Sequence, residues 1–99
     1  MYRSGLGTDR NLPQALKWFQ QAAENGNTAA QGNLGHFYAA GSGVPRDVVV
    51  AYKWFKLGAM GGDVGSANQF AEITKALNPA QIKEGDALAA EFQERARPD

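Results

Sequence analysis

A chain of 99 residues, 43% of them hydrophobic, is long enough for one domain with a small core and too apolar for wholesale disorder. Its 10 basic and 10 acidic residues cancel without the dense basic stripe of a nucleic-acid binder, and the absence of cysteine excludes disulfides, thiolate metal sites and a cysteine nucleophile. No apolar run approaches the roughly 20 residues of a membrane helix. "MYRSGLGTDR" lacks a signal peptide's apolar stretch, which leaves the compartment open between periplasmic or secreted and cytoplasmic.

Charge is uneven along the chain. Residues 1–62 carry six Lys/Arg and three Asp/Glu, and residues 63–99 carry four and seven. The opening residues 1–10 match the end of a later helix, "FYAAGSG", so they read as the end of a partial repeat with a remnant helix end before Gly5. The chain is then either a piece of a longer array or a short chain with an uncapped edge.

The first full helix is expected at 12–25. Ala15, Trp18, Phe19, Ala22 and Ala23 fall at helical spacing on one face, predicted to be buried. Asn11 is expected as its cap and Pro13 in its first turn, and Asn25-Gly26 stops it. Asn27 caps a second helix, 28–40, whose stripe is Ala30, Leu34, Phe37 and Tyr38; Gly41-Ser42-Gly43 ends it. Asp47 caps a third, 48–60, with Ala51, Trp54, Phe55 and Ala59 inward. The run "VVV" at 48–50 favours a strand locally, but the flanking period of 3.6 outweighs three β-branched residues. A fourth helix follows at 64–77.

Asn78, Pro79 and Gln81 form a strong start signal for a fifth, 79–96. Its thin stripe of Ile82, Gly85, Ala89, Phe92 and Ala96, with charges elsewhere, suits the cap that closes a solenoid. Ile82, Ala89 and Phe92 are expected to pack on the fourth helix through Phe70 and Ala71. Small residues, Ala15, Ala22, Gly35 and Ala51, are expected to let backbones approach under the aromatic rings.

Placing Tyr2 on Tyr38 gives an offset of 36, at which 10 of the 30 pairs from Met1/Phe37 to Ala30/Ser66 are identical, both tryptophans among them. A fixed period of roughly 20–50 residues marks a solenoid or array. The fold class read from this is all-α, an α-solenoid of about two helix-turn-helix repeats plus a capping helix. Its expected division is a partial repeat at 1–10, repeats at 11–46 and 47–77, and the cap at 78–99.

The ordered set Ala30, Leu34-Gly35, Tyr38, Gly41, Gly43-Val44, Asp47, Ala51, Trp54 and Ala59 resembles the Sel1-like repeat, a relative of the tetratricopeptide repeat. The first copy matches through Tyr2, Gly5, Gly7, Ala15, Trp18, Ala22-Ala23 and Gly26, and departs from the pattern at Asp9, Asn11 and Pro13. The tail is similar to the ending of many bacterial members. The resemblance covers roughly residues 1–67. It implies an adaptor or scaffold between proteins, binding a protein or peptide through the solenoid groove. It names no substrate, cofactor or catalytic residue.

The residues agree with a non-enzyme. His36, the only histidine, has no other His or Cys to complete a metal site and is expected on the surface or lining a groove. "GSGVPRD" lacks the Lys-Ser/Thr of a phosphate loop, and no serine has a histidine–carboxylate pair. No cofactor, metal, nucleic acid or membrane insertion is expected. Self-assembly through the N-terminal edge, with a homodimer as one product, is the alternative to an adaptor.

The expected binding strip is Gln14, Lys17 and Gln21, at i, i+3, i+7, with their counterparts Val50, Lys53 and Leu57. Val50 and Leu57 are read as apolar residues outside the buried face. The lysines suit a carboxylate-bearing or acidic peptide.

Overall fold

The structure, a computed structural model, describes residues 8–96. Five helices follow one another: α1 (Thr8–Glu24), α2 (Thr28–Ala40), α3 (Val48–Met60), α4 (Val64–Ala76) and α5 (Pro79–Ala96). No strand occurs among the described residues. The "VVV" run opens α3, where the 3.6 period prevails over local preference.

Side chains at the helix starts satisfy backbone N–H groups that have no partner within the helix. The Asn27 amide oxygen accepts from the Ala30 N–H at 2.9 Å. Asp47 accepts from Val49 and Val50, at 3.1 and 3.2 Å. Asp63 accepts both the Ser66 N–H and its hydroxyl, at 2.8 and 2.6 Å, and these bonds hold its carboxyl below the usual carboxylate range. Asn78 and Gln81 bond reciprocally, at 2.8 and 3.0 Å, as a capping box. Gly41 ends α2 at φ 74°, a left-handed turn glycine adopts without strain.

Three helix bounds differ from the sequence reading. α4 stops at Ala76 and α1 at Glu24, each one residue short. α1 begins at Thr8, so Asn11 lies inside the helix and not at its start, and Pro13 falls in its second turn. The proposed remnant helix before Gly5 lies outside the described residues.

The helices pack as a succession of neighbours: α1 on α2, α2 on α3, and α3 on both α4 and α5. Tyr52, Trp54, Phe55 and Leu57 of α3 are all buried, which puts this helix at the centre. Gly35 is why α2 can lie against it, since a Cβ at Gly35 would stand 2.6 Å from the Phe55 ring. Gly32 of α2 and Gly58 of α3 leave the space that the buried Ser66 of α4 occupies.

The buried face of α1 is the one the period suggested except at one edge, where Leu16 is buried and Trp18 is not. Leu16 and Ala23 are in the core, with Phe19 packed on them and tilted against Phe37 at 5.7 Å. Trp18 is 60% exposed, its ring edge-on to Phe19 at 5.2 Å. At roughly 100° per residue, Leu16 and Trp18 flank opposite edges of the arc formed by Ala22, Ala15, Phe19 and Ala23, and only the Leu16 edge is covered. Its counterpart Trp54 is 3% exposed because Phe92 of α5 meets it edge-on at 5.3 Å.

The cap also chooses a different neighbour. α5 lies on α3, not on α4 as Phe70 and Ala71 suggested. Gly85 faces the Tyr52 ring. Asp86 accepts bonds from the Tyr52 hydroxyl and the Lys56 ammonium, each at 2.7 Å. Ala71 is exposed, and Phe70 packs on Tyr52 instead, at 5.1 Å.

Candidate protein-binding groove

A groove of about 720 Å³ opens where α1 turns into α2 and where α3 and α5 end. Leu57 and Met60 of α3 and Phe92 of α5 form its apolar walls. Gly26, Thr28 and Gln31 line it from the α1–α2 corner, and Ala90, Gln93 and Glu94 from α5. The hairpin geometry of the repeat creates this convergence. The Gly26 turn, at φ 96°, ends α1 beside the start of α2, and α5 runs across α3 to bring Phe92 over Trp54.

The walls differ in exposure. Leu57 and Phe92 are buried, whereas Met60 is 57% exposed, an unbranched thioether standing open to solvent. Its sulfur receives only a weak contact from the Gln93 amide, at 4.0 Å. Gln31 is 4% exposed. Its Nε2 donates to the Ala23 carbonyl at 2.9 Å, which ties α2 to α1 and fixes which way the amide points. Its Oε1 is buried with no partner among the described residues. Leaving a buried acceptor unpaired costs about 1–3 kcal/mol.

Charges of both signs edge the site. The Lys53 ammonium lies over the Trp54 ring at 4.3 Å and near the Phe92 ring at 5.5 Å. Burial lowers its pKa first and the neighbouring Arg95 second, while Glu24 and Glu91 act in the opposite sense. The Arg95 guanidinium is 6.0 Å from the other aromatic partner, Phe92.

The six residues of the expected strip do not share one environment. Gln14, Lys17 and Gln21 are exposed on α1. Val50 is partly buried against the core. Lys53 is half-buried on its aromatic rings, and Leu57 belongs to the core and the groove wall. Leu57 is therefore part of the buried face, contrary to its reading as an apolar outlier. His36 is exposed and meets the Phe55 ring edge-on at 5.2 Å. No group of three or more His, Asp or Glu gathers as a metal site among the described residues. No described helix is long and apolar enough to cross a membrane.

Sequence reasoning missed Gln31 and Met60. Gln31 carried a signal. It shares the helical face of Leu34, Gly35 and Tyr38, at i, i+3, i+4 and i+7, where a polar residue in an apolar stripe predicts a buried amide. Met60 carried none, because only the approach of α5 makes a wall of it.

No curated protein matches the chain. The Sel1 repeat profile matches it twice, at residues 1–27 and 28–63, together well over half its length. The second match runs from the Asn27-capped start of α2, through the Gly41 turn and the Asp47 cap, to the end of α3 with its buried Trp54. The paired helices, the glycine turns between them and the twofold match agree: the chain belongs to the Sel1 repeat family.

Proposed function

We propose that the chain is a protein-interaction adaptor that seats a segment of a partner protein in the groove between the ends of α1, α3 and α5. Sel1 repeats generally mediate protein–protein contacts as a non-catalytic scaffold family. The observation that carries the reading is the exposed Met60 beside Leu57 and Phe92 in a space of about 720 Å³. A concave apolar site with a few polar groups is what an anchoring side chain requires, and sites of roughly 300–1,000 Å³ are typical of ligand pockets. Of the expected strip, Leu57 lines this groove, and the Lys53 ammonium lies 5.5 Å from the ring of its Phe92 wall. Gln14, Lys17 and Gln21 are contacts for a partner that also spans α1.

Selection of binders from a displayed peptide library, followed by amide-shift mapping, tests this. Selected peptides are expected to move the signals of residues 57–61 and 90–94, and Met60→Glu is expected to abolish binding. Lys17→Glu with Lys53→Glu weakens binding to an acidic segment, with the loss reduced at high salt. Shifts confined to other surfaces refute the groove as the site.

A further inference from the structure

We propose that Met60 is a redox-sensitive modification site: a peroxide converts its thioether to the sulfoxide, and the Gln93 amide holds that sulfoxide across the mouth of the groove. Oxidation then closes the groove to an apolar anchor. That consequence rests on the groove being a protein-binding site; the modification itself does not.

Position makes Met60 the sulfur that an oxidant meets. The chain has no cysteine and two methionines, and Met1 lies outside the described residues. Met60 is the last residue of α3 and 57% exposed, so its thioether is open to a small oxidant. A lone pair on the sulfur attacks one oxygen of hydrogen peroxide. The S–O bond forms as the O–O bond breaks, the released hydroxide takes the proton of the transferred hydroxyl, and water leaves. Sulfur gives up an electron pair and the peroxide accepts it.

The surroundings decide what the product does. Gln93 of α5 directs its Nε2 at the Met60 sulfur from 4.0 Å, a weak contact because a thioether is a weak acceptor. A sulfoxide oxygen is a strong acceptor that stands out from the sulfur. Added on the Gln93 side, it lies between the two atoms and takes up the amide N–H. The sulfoxide is chiral, and only the epimer facing α5 makes this bond. Met60 belongs to α3 and Gln93 to α5, and both line the groove. Their bond therefore runs from one wall to the other. It also sets a polar group into the lining that Leu57 and Phe92 share, where an anchoring side chain is to seat. Turning a flexible apolar side chain into a polar one disrupts an interface built on it.

The test uses the full chain, oxidised with hydrogen peroxide and then freed of it. The probe is a groove-binding peptide from the displayed library that carries no methionine, cysteine or tryptophan. Peptide mass spectrometry is expected to place one added oxygen on Met60, and circular dichroism to show the helices intact. The Gln93 side-chain amide signals are expected to move. The probe's dissociation constant is expected to rise at least about tenfold, as when one interface anchor is lost. Methionine sulfoxide reductase is expected to restore both. Met60→Leu, a swap of similar volume, is expected to bind the probe equally before and after peroxide. An oxidised chain that binds as the reduced one does, or Gln93 signals that stay in place, overturns the proposal and leaves the adaptor reading standing. So does a Met60→Leu chain that also loses binding after peroxide, because the damage then lies elsewhere. Loss of helical signal on oxidation overturns it too, since the loss of binding is then unfolding. If no selected peptide shifts residues 57–61 and 90–94, the adaptor reading falls and the closing of the groove falls with it.

Discussion

Two tryptophans that align at an offset of 36 have opposite fates, and stability measurements should separate them. Trp54→Ala removes a buried ring packed against Phe92 and is expected to cost about 3–5 kcal/mol in urea unfolding. Trp18→Ala is expected to stay within about 0.5 kcal/mol of the parent, as exposed positions do. The sequence period correctly placed both on a common helical face but assigned both to the core. Periodicity finds an apolar arc; which edge of the arc is covered depends on the neighbour, and α2 covers the edge at Leu16 and not the edge at Trp18. The Tyr52–Asp86–Lys56 cluster predicts a pH dependence at both extremes. Burial foremost, and then the bond to Asp86, push the Tyr52 hydroxyl up to about 12. A raised folded-state pKa stabilises fully below the unfolded value near 10, and that contribution is lost as pH rises toward 12. Asp86 is held below the carboxylate range by the Lys56 bond first and the Tyr52 bond second, so its contribution is complete above the unfolded value and is lost as acid protonates it. Urea midpoints followed against pH should fall at both ends, and Tyr52→Phe should remove the alkaline fall. An unchanged alkaline limb in that variant would show that the phenol does not control it.

Helix by helix, the sequence was nearly transparent. Asn27, Asp47 and the Asn78–Gln81 pair announced their roles because capping is a local bargain between a side chain and N–H groups two or three residues away. Asn11 failed as a start signal because α1 continues upstream of it. Docking was harder to read than existence. The stripe on α5 fixed the face it buries, but nothing along the chain said that α3 would receive it in place of α4. That neighbour changes what a truncation uncovers. Deleting residues 79–99 removes the cover from Tyr52 and Trp54 and the Asp86 partner of Lys56. The shortened chain is expected to aggregate and to bind hydrophobic dyes, as newly exposed apolar patches do. Light scattering that shows a soluble, equally stable chain would contradict a covering role for α5.

At the scale of the whole molecule, the groove was the least legible feature, since its walls come from segments around residues 26–31, 57–61 and 90–94 that only the packing brings together. Gln31 alone left a trace, as a polar residue within an apolar stripe. A different joint controls the arrangement of those segments. Ser66 fits between α2 and α3 only because Gly32 and Gly58 lack a side chain. A Cβ at Gly58 would stand 2.8 Å from the Ser66 Cβ and 3.1 Å from the Thr28 carbonyl oxygen, so Gly58→Ala is expected to destabilise by about 1–3 kcal/mol in urea unfolding. An alanine variant as stable as the parent would mean that the joint has slack. In a stacked array, the small rotation at each unit accumulates into overall curvature. Two absent carbons thus work as the fulcrum of a lever: a few tenths of an ångström of spreading there would swing the far end of a stacked array through a much longer arc.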